Sequence, residues 1–430
     1  MSSWKIQRKL HHVYLYSATS RRLLSSTCKC GKSLQQTSVK LLSTESLATA
    51  IHPSRTEEND SNPKAISLGD VYANNTVEER REFKHSRTPS QLILDHFDRR
   101  YGQQFGSDWG DIRAALMAPK LNGLLLNNFA QVSTKVATIL QEHGLQKVSD
   151  LCDISSHLNW WEEGETIGIQ NYHKGTESSL KFYIHPENRH VWFPKLKHVP
   201  GQLKSYFLQG ASSLLPVLAL DVQQDDSVLD MCAAPGGKSL ALLQAAELGL
   251  LTSNEPDLWR RRRLAETLQS YIPQEILQTR VDVSKLNGVH FQDVTPNTFD
   301  KVLVDAPCSN DRSWLYSKNS VGMKMRIEDR RHLPQLQASL LRSALHAVKP
   351  GGTVVYATCT LSQKENDDVV EFCLRQNKSR IDVINLNNFS KNFQKIFRFD
   401  SSTRYGQLVL PHVNANWGPM YLAKLKKIDT

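Results

Sequence analysis

The sequence predicts an α/β protein: a doubly wound, mostly parallel sheet preceded by a smaller α-rich N-terminal domain. Three observations point there. Apolar stretches of strand length near 227–232, 250–254, 279–284, 300–305 and 353–358 alternate with helical stretches, the pattern of successive βαβ units. The first runs straight into a small glycine-bearing turn and then a helix, in VLDMCAAPGGK (Val228–Lys238). Two others end in cysteine-bearing segments, VLVDAPCS (Val302–Ser309) and TVVYATCT (Thr353–Thr360). In open parallel sheets ligands gather outside the carboxyl ends of strands, so Cys308, Cys359 and the glycine turn are expected to face one another.

The N-terminus carries a signal of its own. Before Glu45 the chain has no acidic residue, yet holds Lys5, Arg8, Lys9, Arg21, Arg22, Lys29, Lys32 and Lys40 among many Ser and Thr. Leu10, Val13, Leu15 and Tyr16 add apolar surface without an uninterrupted apolar core. Residues 1–44 therefore read as a mitochondrial transit peptide, implying the matrix; a disordered basic tail is the alternative. Residues 45–88 are polar and read as a linker or loosely docked arm. Cys28 and Cys30 lack a second pair at metal-finger spacing, so no metal site is expected. Setting aside the eight N-terminal cations leaves 45 Lys+Arg against 43 Asp+Glu, and the net charge falls from +10 to +2. Binding of a polyanion must then rest on local patches. The candidates are Arg260–Arg263, at the start of a helix, and the loop Lys318–Arg331 with Lys324, Arg326, Arg330 and Arg331. No apolar run is long enough to span a membrane, and none is expected to insert.

Residues 89–205 form the α-rich N-terminal domain. Ile93, Phe97 and Tyr101 fall at helical spacing, as do Trp109, Ile112 and Leu116 after a Ser107-Asp108 start. Val132–His143 reads as a helix stopped by Gly144. These aromatic stripes are assigned to packing. Lys181–His185 and Val191–Phe193 read as short strands. Residues 206–430 open on Tyr206–Leu220 (YFLQGASSLLPVLAL), read as a helix, and a further helix is expected over Ser239–Leu248. Gln407–Pro411 and Pro419–Leu425 add two strands at an antiparallel edge. Seven cysteines without regular spacing make no disulfide framework and imply a reducing interior; Cys152, Cys232 and Cys373 read as core thiols.

The turn carries the chemistry. Its two glycines admit close backbone approach by a ligand, and the helix start beyond them offers N–H groups to a carboxylate or phosphate. Its spacing fits neither the GxGxxG of dinucleotide sites nor a Walker A loop. CAAPGGK, with DAPC and TCT downstream, resembles the cofactor loop and the DxPC and TC[ST] motifs of the Sun/RsmB family of RNA cytosine-5 methyltransferases. The likeness runs from about Asp95 to the C-terminus. It implies that residues 206–430 are a Rossmann-like S-adenosylmethionine-dependent methyltransferase domain acting on RNA.

That chemistry needs a thiolate. C5 of cytosine is a poor nucleophile until a thiolate adds to C6 and makes it enamine-like. The resemblance implies that Cys359 is this nucleophile, activated beside a cationic cofactor. It implies that Cys308 helps release the methylated product and that Asp305 contacts the base edge and borders the cofactor. Lys238 either positions groups around the base or packs the helix N-terminus. The cofactor set implied for S-adenosyl-L-methionine is Gly236, Gly237, Lys238, Ser239, Glu255, Arg260, Asn287, Gly288 and Asp305, with Glu255 accepting the ribose hydroxyls. Asn287-Gly288 stands where many relatives have Asp-Gly near the adenine amine. LNGLLLNNFAQ and ANWGPMY are similar to the mitochondrial branch that acts on small-subunit ribosomal RNA. That branch implies work on the mitoribosomal subunit with a helper protein of the mitochondrial transcription-termination-factor fold. The runner-up is the branch that modifies a mitochondrial tRNA anticodon base. A ribosome-assembly role with catalysis secondary, and methylation of a protein or small molecule, are the other classes.

Overall fold

Among the described residues, the first strands make a small antiparallel sheet in the order β2-β3-β1-β4. Its members are β1 (Gly123–Leu126), β2 (Gln146–Lys147), β3 (Phe182–Ile184) and β4 (Tyr206–Gln209). The computed structural model describes residues 90–132, 134–152, 180–197, 199–316, 320–376 and 380–428, all within one unit of the chain. The expected transit peptide (1–44), the polar arm (45–88), Cys28, Cys30, Lys318 and the side chains of Lys324 and Arg326 lie outside the described residues. One face of the small sheet packs Leu124, Leu126 and Tyr206 with Val136 of the helix Thr134–Glu142. The other turns Leu125, Phe182 and Ile184 into the main core. The N-terminal part thus has its expected helices at Gln91–Phe105, Trp109–Met117 and Thr134–Glu142, but they attend a sheet of which periodicity revealed one strand.

Two readings change. Tyr206–Leu220 is not one helix: β4 pairs antiparallel with β1, a 3-10 turn spans Ala211–Leu214, and only Leu215–Leu220 is helical. Pro216 suits the first turn of a helix but would break the middle of a longer one. Val191–Phe193 belongs to no strand; Val191 and Phe193 are buried and Trp192 is exposed, so the alternation was real without a partner ladder.

The large sheet has the order β11-β12-β13-β9-β8-β5-β6-β7, with β10 also on β13. Its strands are β5 (Ser227–Asp230), β6 (Leu250–Asn254), β7 (Val281–Ser284), β8 (Phe299–Asp305), β9 (Val348–Thr358), β10 (Ile381–Ile384), β11 (Arg398–Asp400), β12 (Gln407–Leu410) and β13 (Met420–Lys427). β7, β6, β5, β8 and β9 run parallel, while β13 enters antiparallel beside β9. This is the doubly wound sheet with an antiparallel edge that the sequence implied; β10 and β11 are additions. Side chains alternate across it. Leu229, Val302, Val304, Val354 and Tyr356 enter one core layer, and Val228, Leu303, Val355 and Ala357 enter the other. Cys152, Cys232 and Cys373 are buried in these layers, as expected.

The helix Gln91–Phe105 packs Ile93, Phe97 and Tyr101 into the layer of Trp314 and Tyr356. The next helix, Trp109–Met117, ends against Arg312 and Asn416. Arg312 donates to Ala115 O (3.1 Å), Leu116 O (3.3 Å) and Ala118 O (2.9 Å), and to Asn416 Oδ1 (2.5 Å) and Gly418 O (3.1 Å). A guanidinium therefore satisfies carbonyls that every helix end leaves open. Arg312→Met should lower stability by about 1.5–3 kcal/mol, the scale of lost bonds to a charged donor; a urea midpoint unchanged from the native chain would refute this.

Candidate active site at the carboxyl ends of β5, β8 and β9

β5 has β6 on one side and β8 on the other, so the sheet's switch point lies at its carboxyl end. There the chain turns through Met231–Gly236 into the helix Gly237–Ala245. Gly236 has φ +109, and a Cβ on it would press on Thr267 and Leu264 at 3.1–3.3 Å. A Cβ on Gly237 would sit 2.8 Å from Gln209 Oε1 and from the Phe207 ring. Both glycines are required by the close approach of β4 and the neighbouring helix. Ser239 is fully buried and points inward, donating to Asp230 Oδ2 at 2.7 Å, so its side chain braces the loop from behind.

Around this loop the buried atoms Asp230 Oδ1, Asn254 Oδ1 and Gln209 Nε2 have no hydrogen-bond partner. Polar atoms left open beside a glycine cradle fit a ligand with both donors and acceptors. Burial drives the Asp230 carboxyl up to about 7. Glu255, next after β6, is 2 % exposed. Its carboxylate receives Asp257 N (3.1 Å) and Arg260 Nη1 (3.1 Å), and Arg260 Nη2 reaches Ala234 O at 3.2 Å. Arg260 thus ties the acidic residue to the cradle. The exposed Asn287 accepts from Val289 N at 3.4 Å and caps its own turn. Gly288 packs at the base of the cradle, where a Cβ would meet Met231 Cγ at 3.2 Å and Leu340 at 2.5 Å.

The register of β8 on β9 pairs Asp305 with Ala357 and so brings the two cysteines together just beyond. Cys308 Sγ lies 3.2 Å from Cys359 Sγ, and Cys359 N donates to Cys308 Sγ at 3.3 Å. The bond to Cys359, then burial, holds the Cys308 thiol well above the usual cysteine value. Lys238 Nζ lies 2.7 Å from Asp305 Oδ2. Burial pulls the Lys238 ammonium down, but Asp305, aided by Cys359, more than offsets this and leaves it raised. Lys238 is therefore held as a cation against Asp305, joining the helix after β5 to the end of β8.

Arg330, expected on an RNA-facing loop, lies instead in the interior. The segment read as a loop from Lys318 is helical from Ser320 onward (Ser320–Ala347), and Arg330 is buried within the fold. It meets Asp311 and Glu365, which periodicity and motif spacing gave no means of finding. Neither residue stands in a recognisable pattern, because their partners come from distant parts of the chain.

A doubly wound sheet with an antiparallel strand beside β9, and a glycine cradle at its switch point, is the build of S-adenosylmethionine-dependent methyltransferases. The chain matches 16S rRNA methyltransferase RsmB/F over residues 217–426. It is 40% identical over 351 residues to a mouse mitochondrial tRNA (cytosine(34)-C(5))-methyltransferase, covering 81% of this chain and 94% of that one. It is 38% identical over 372 residues to the 5-cytosine rRNA methyltransferase NSUN4 of Xenopus tropicalis, covering 79% and 91%. A methyltransferase homologue from Pyrococcus horikoshii shares the fold at a TM-score of 0.52 and 22% identity, over 79% of this chain and 100% of that one. The chain belongs to the RsmB/F (Sun) family of S-adenosylmethionine-dependent RNA cytosine-5 methyltransferases. Among the described residues no helix is long and apolar enough to cross a membrane.

Two outcomes follow. Glu255→Gln should weaken S-adenosylmethionine binding about tenfold by calorimetry, since a charged acceptor is lost and Arg260 loses its partner; an unchanged Kd would remove Glu255 from the site. Asp230 has an ordinary value of 3.8 and a folded value of about 7. Between these the folded chain keeps a proton the unfolded chain has lost, so stability falls as pH rises from about 4 to 7, by at most about 4 kcal/mol. Asp230→Asn should flatten that fall in denaturant titrations; an identical slope would show that another group carries it.

Proposed function

We propose that this chain methylates C5 of a cytosine in a mitochondrial RNA, with Cys359 as nucleophile and Cys308 as the releasing residue. The thiol pair at 3.2 Å carries this reading. Cys308, kept protonated, can donate to the sulfur of Cys359. The Cys359 thiolate adds to C6, which turns C5 into an enamine-like carbon. Asp305, held by Lys238, faces the base edge and handles the proton at N3. Bound S-adenosylmethionine supplies an electrophilic methyl group. The C5 proton then passes to solvent water, its electron pair restores the C5–C6 double bond, and Cys359 departs as a thiolate whose sulfur accepts from the Cys308 thiol. Gly236, Gly237 and the backbone of Lys238 and Ser239 would hold the cofactor's amino-acid end. Glu255 would take its ribose, and Asn287-Gly288 would border its adenine.

Two RNAs compete as substrate. The resemblance of short segments put mitochondrial small-subunit rRNA first. Overall identity, 40% to the tRNA enzyme against 38% to the rRNA enzyme, gives the tRNA anticodon equal standing or better. Mitochondrial relatives and the acid-free N-terminus support residence in the matrix. A helper protein of the termination-factor fold and a mitoribosomal docking site belong to the rRNA reading alone.

The test compares native chain, Cys308→Ala and Cys359→Ala with S-adenosylmethionine and each RNA, read as covalent protein–RNA adduct on denaturing gels. Adduct should accumulate at least tenfold in Cys308→Ala and be absent in Cys359→Ala. Equal adduct in both variants would overturn the assigned roles, and the RNA that gains label identifies the substrate.

A further inference from the structure

Both cysteines sit at strand ends whose following residues are tied crosswise. Asp311 lies three residues beyond Cys308, yet its Oδ2 accepts from Thr360 Oγ1 (2.9 Å) and Leu361 N (2.8 Å), in the loop after Cys359. Glu365 lies six residues beyond Cys359, yet it accepts from Ser309 N (2.9 Å, on Oε2) and Ser309 Oγ (2.8 Å, on Oε1), in the loop after Cys308. Ser309 Oγ and Thr360 Oγ1, 2.8 Å apart, close the cross. Each loop therefore carries the carboxylate that holds the other.

Two carboxylates buried at 0 % exposure repel one another unless a cation stands between them. Arg330 Nη2 lies 3.4 Å from Asp311 Oδ1, and Arg330 Nε lies 3.4 Å from Glu365 Oε1. Its Nη2 also donates to the Tyr101 hydroxyl, which in turn donates to Asp311 Oδ2 at 2.9 Å. The guanidinium lies 5.3–5.7 Å from the rings of Phe97, Tyr101 and Trp314, which close it off from solvent. His96 packs on Trp314 at 5.5 Å. Burial and Arg330 drive it down to about 4, so it adds no second charge near neutrality.

We propose that Arg330 is a positioning residue for the reaction: by neutralising Asp311 and Glu365 together it locks the crossed loops and fixes the separation of Cys308 and Cys359. This rests on the reading of those cysteines as the reacting pair. Arg330 pairs with Asp311 and Glu365 and acts through them on Ser309 and Thr360. A lysine cannot replace it, because a point charge does not span two carboxylates with a planar fork.

The full chain is tested as native, Arg330→Lys, Arg330→Met and Thr360→Val, the last cutting one strut while keeping the buried charges balanced. Four quantities are read: thermal midpoint, Kd for S-adenosylmethionine, the rate at which diamide closes a Cys308–Cys359 disulfide, and kcat and KM for RNA methylation. Arg330→Lys and Thr360→Val should keep the cofactor Kd within threefold of native. Disulfide closure should slow at least tenfold in Arg330→Lys and threefold in Thr360→Val, and kcat should fall in the same order with KM for RNA little changed. Closure and kcat within twofold of native in both variants would overturn the proposal. So would a cofactor Kd that weakens in step with kcat, since that marks a general loss of structure. Should Arg330→Met fail to fold, the other two variants still decide. Disulfide closure needs no RNA, so a native chain that methylates neither RNA would defeat the substrate reading and leave this test standing.

Discussion

The parallel register of β8 on β9 governs everything downstream of it. Pairing Asp305 with Ala357 sends the two chains out of the sheet side by side, three residues short of one cysteine and two short of the other. A slip of one residue would turn every side chain on one strand to the opposite face and part the thiols. The register is fixed because both faces of these strands are buried, with Val302, Leu303 and Val304 each at 0 % exposure. The core thus does more than stabilise. It decides which two sulfurs can meet.

The same strand ends set the division of labour in the cleft. The cradle after β5 is built of backbone and small residues, because a ligand must approach the chain itself. The cysteine side is built of side chains held by buried charge, because a thiol must be aimed. Lys238 and Asp305 stand where the two halves meet, one from each.

Much of this was legible in the sequence, for reasons that can be located. The parallel strands announce themselves as uninterrupted apolar runs, and Gly236, Gly237, Glu255, Asp305, Cys308 and Cys359, singled out by the motif resemblance, lie at or just beyond their carboxyl ends. β4 was missed because Tyr206–Gln209 joins a short apolar helix without a break in composition, and only its partner β1 makes it a strand. Val191–Phe193 failed in the opposite way, showing alternation with no neighbour to pair with. Arg330 was misread because a basic residue in a basic segment looks exposed, and nothing local reveals two carboxylates waiting in the interior. Asn287 took a local cap, since an amide followed by a glycine turn finds its nearest donor in its own backbone.

The helix Gln91–Phe105 sits far from the methyltransferase motifs in sequence, yet Tyr101, Arg100 and Gln104 bond to Asp311, Ser362 and Leu361. Tyr101 donates its hydroxyl to Asp311, 210 positions away. A gene segment encoding only the large sheet would inherit the motifs without this helix, and with them an unfinished interior. The helix and the large sheet thus complete one interior between them.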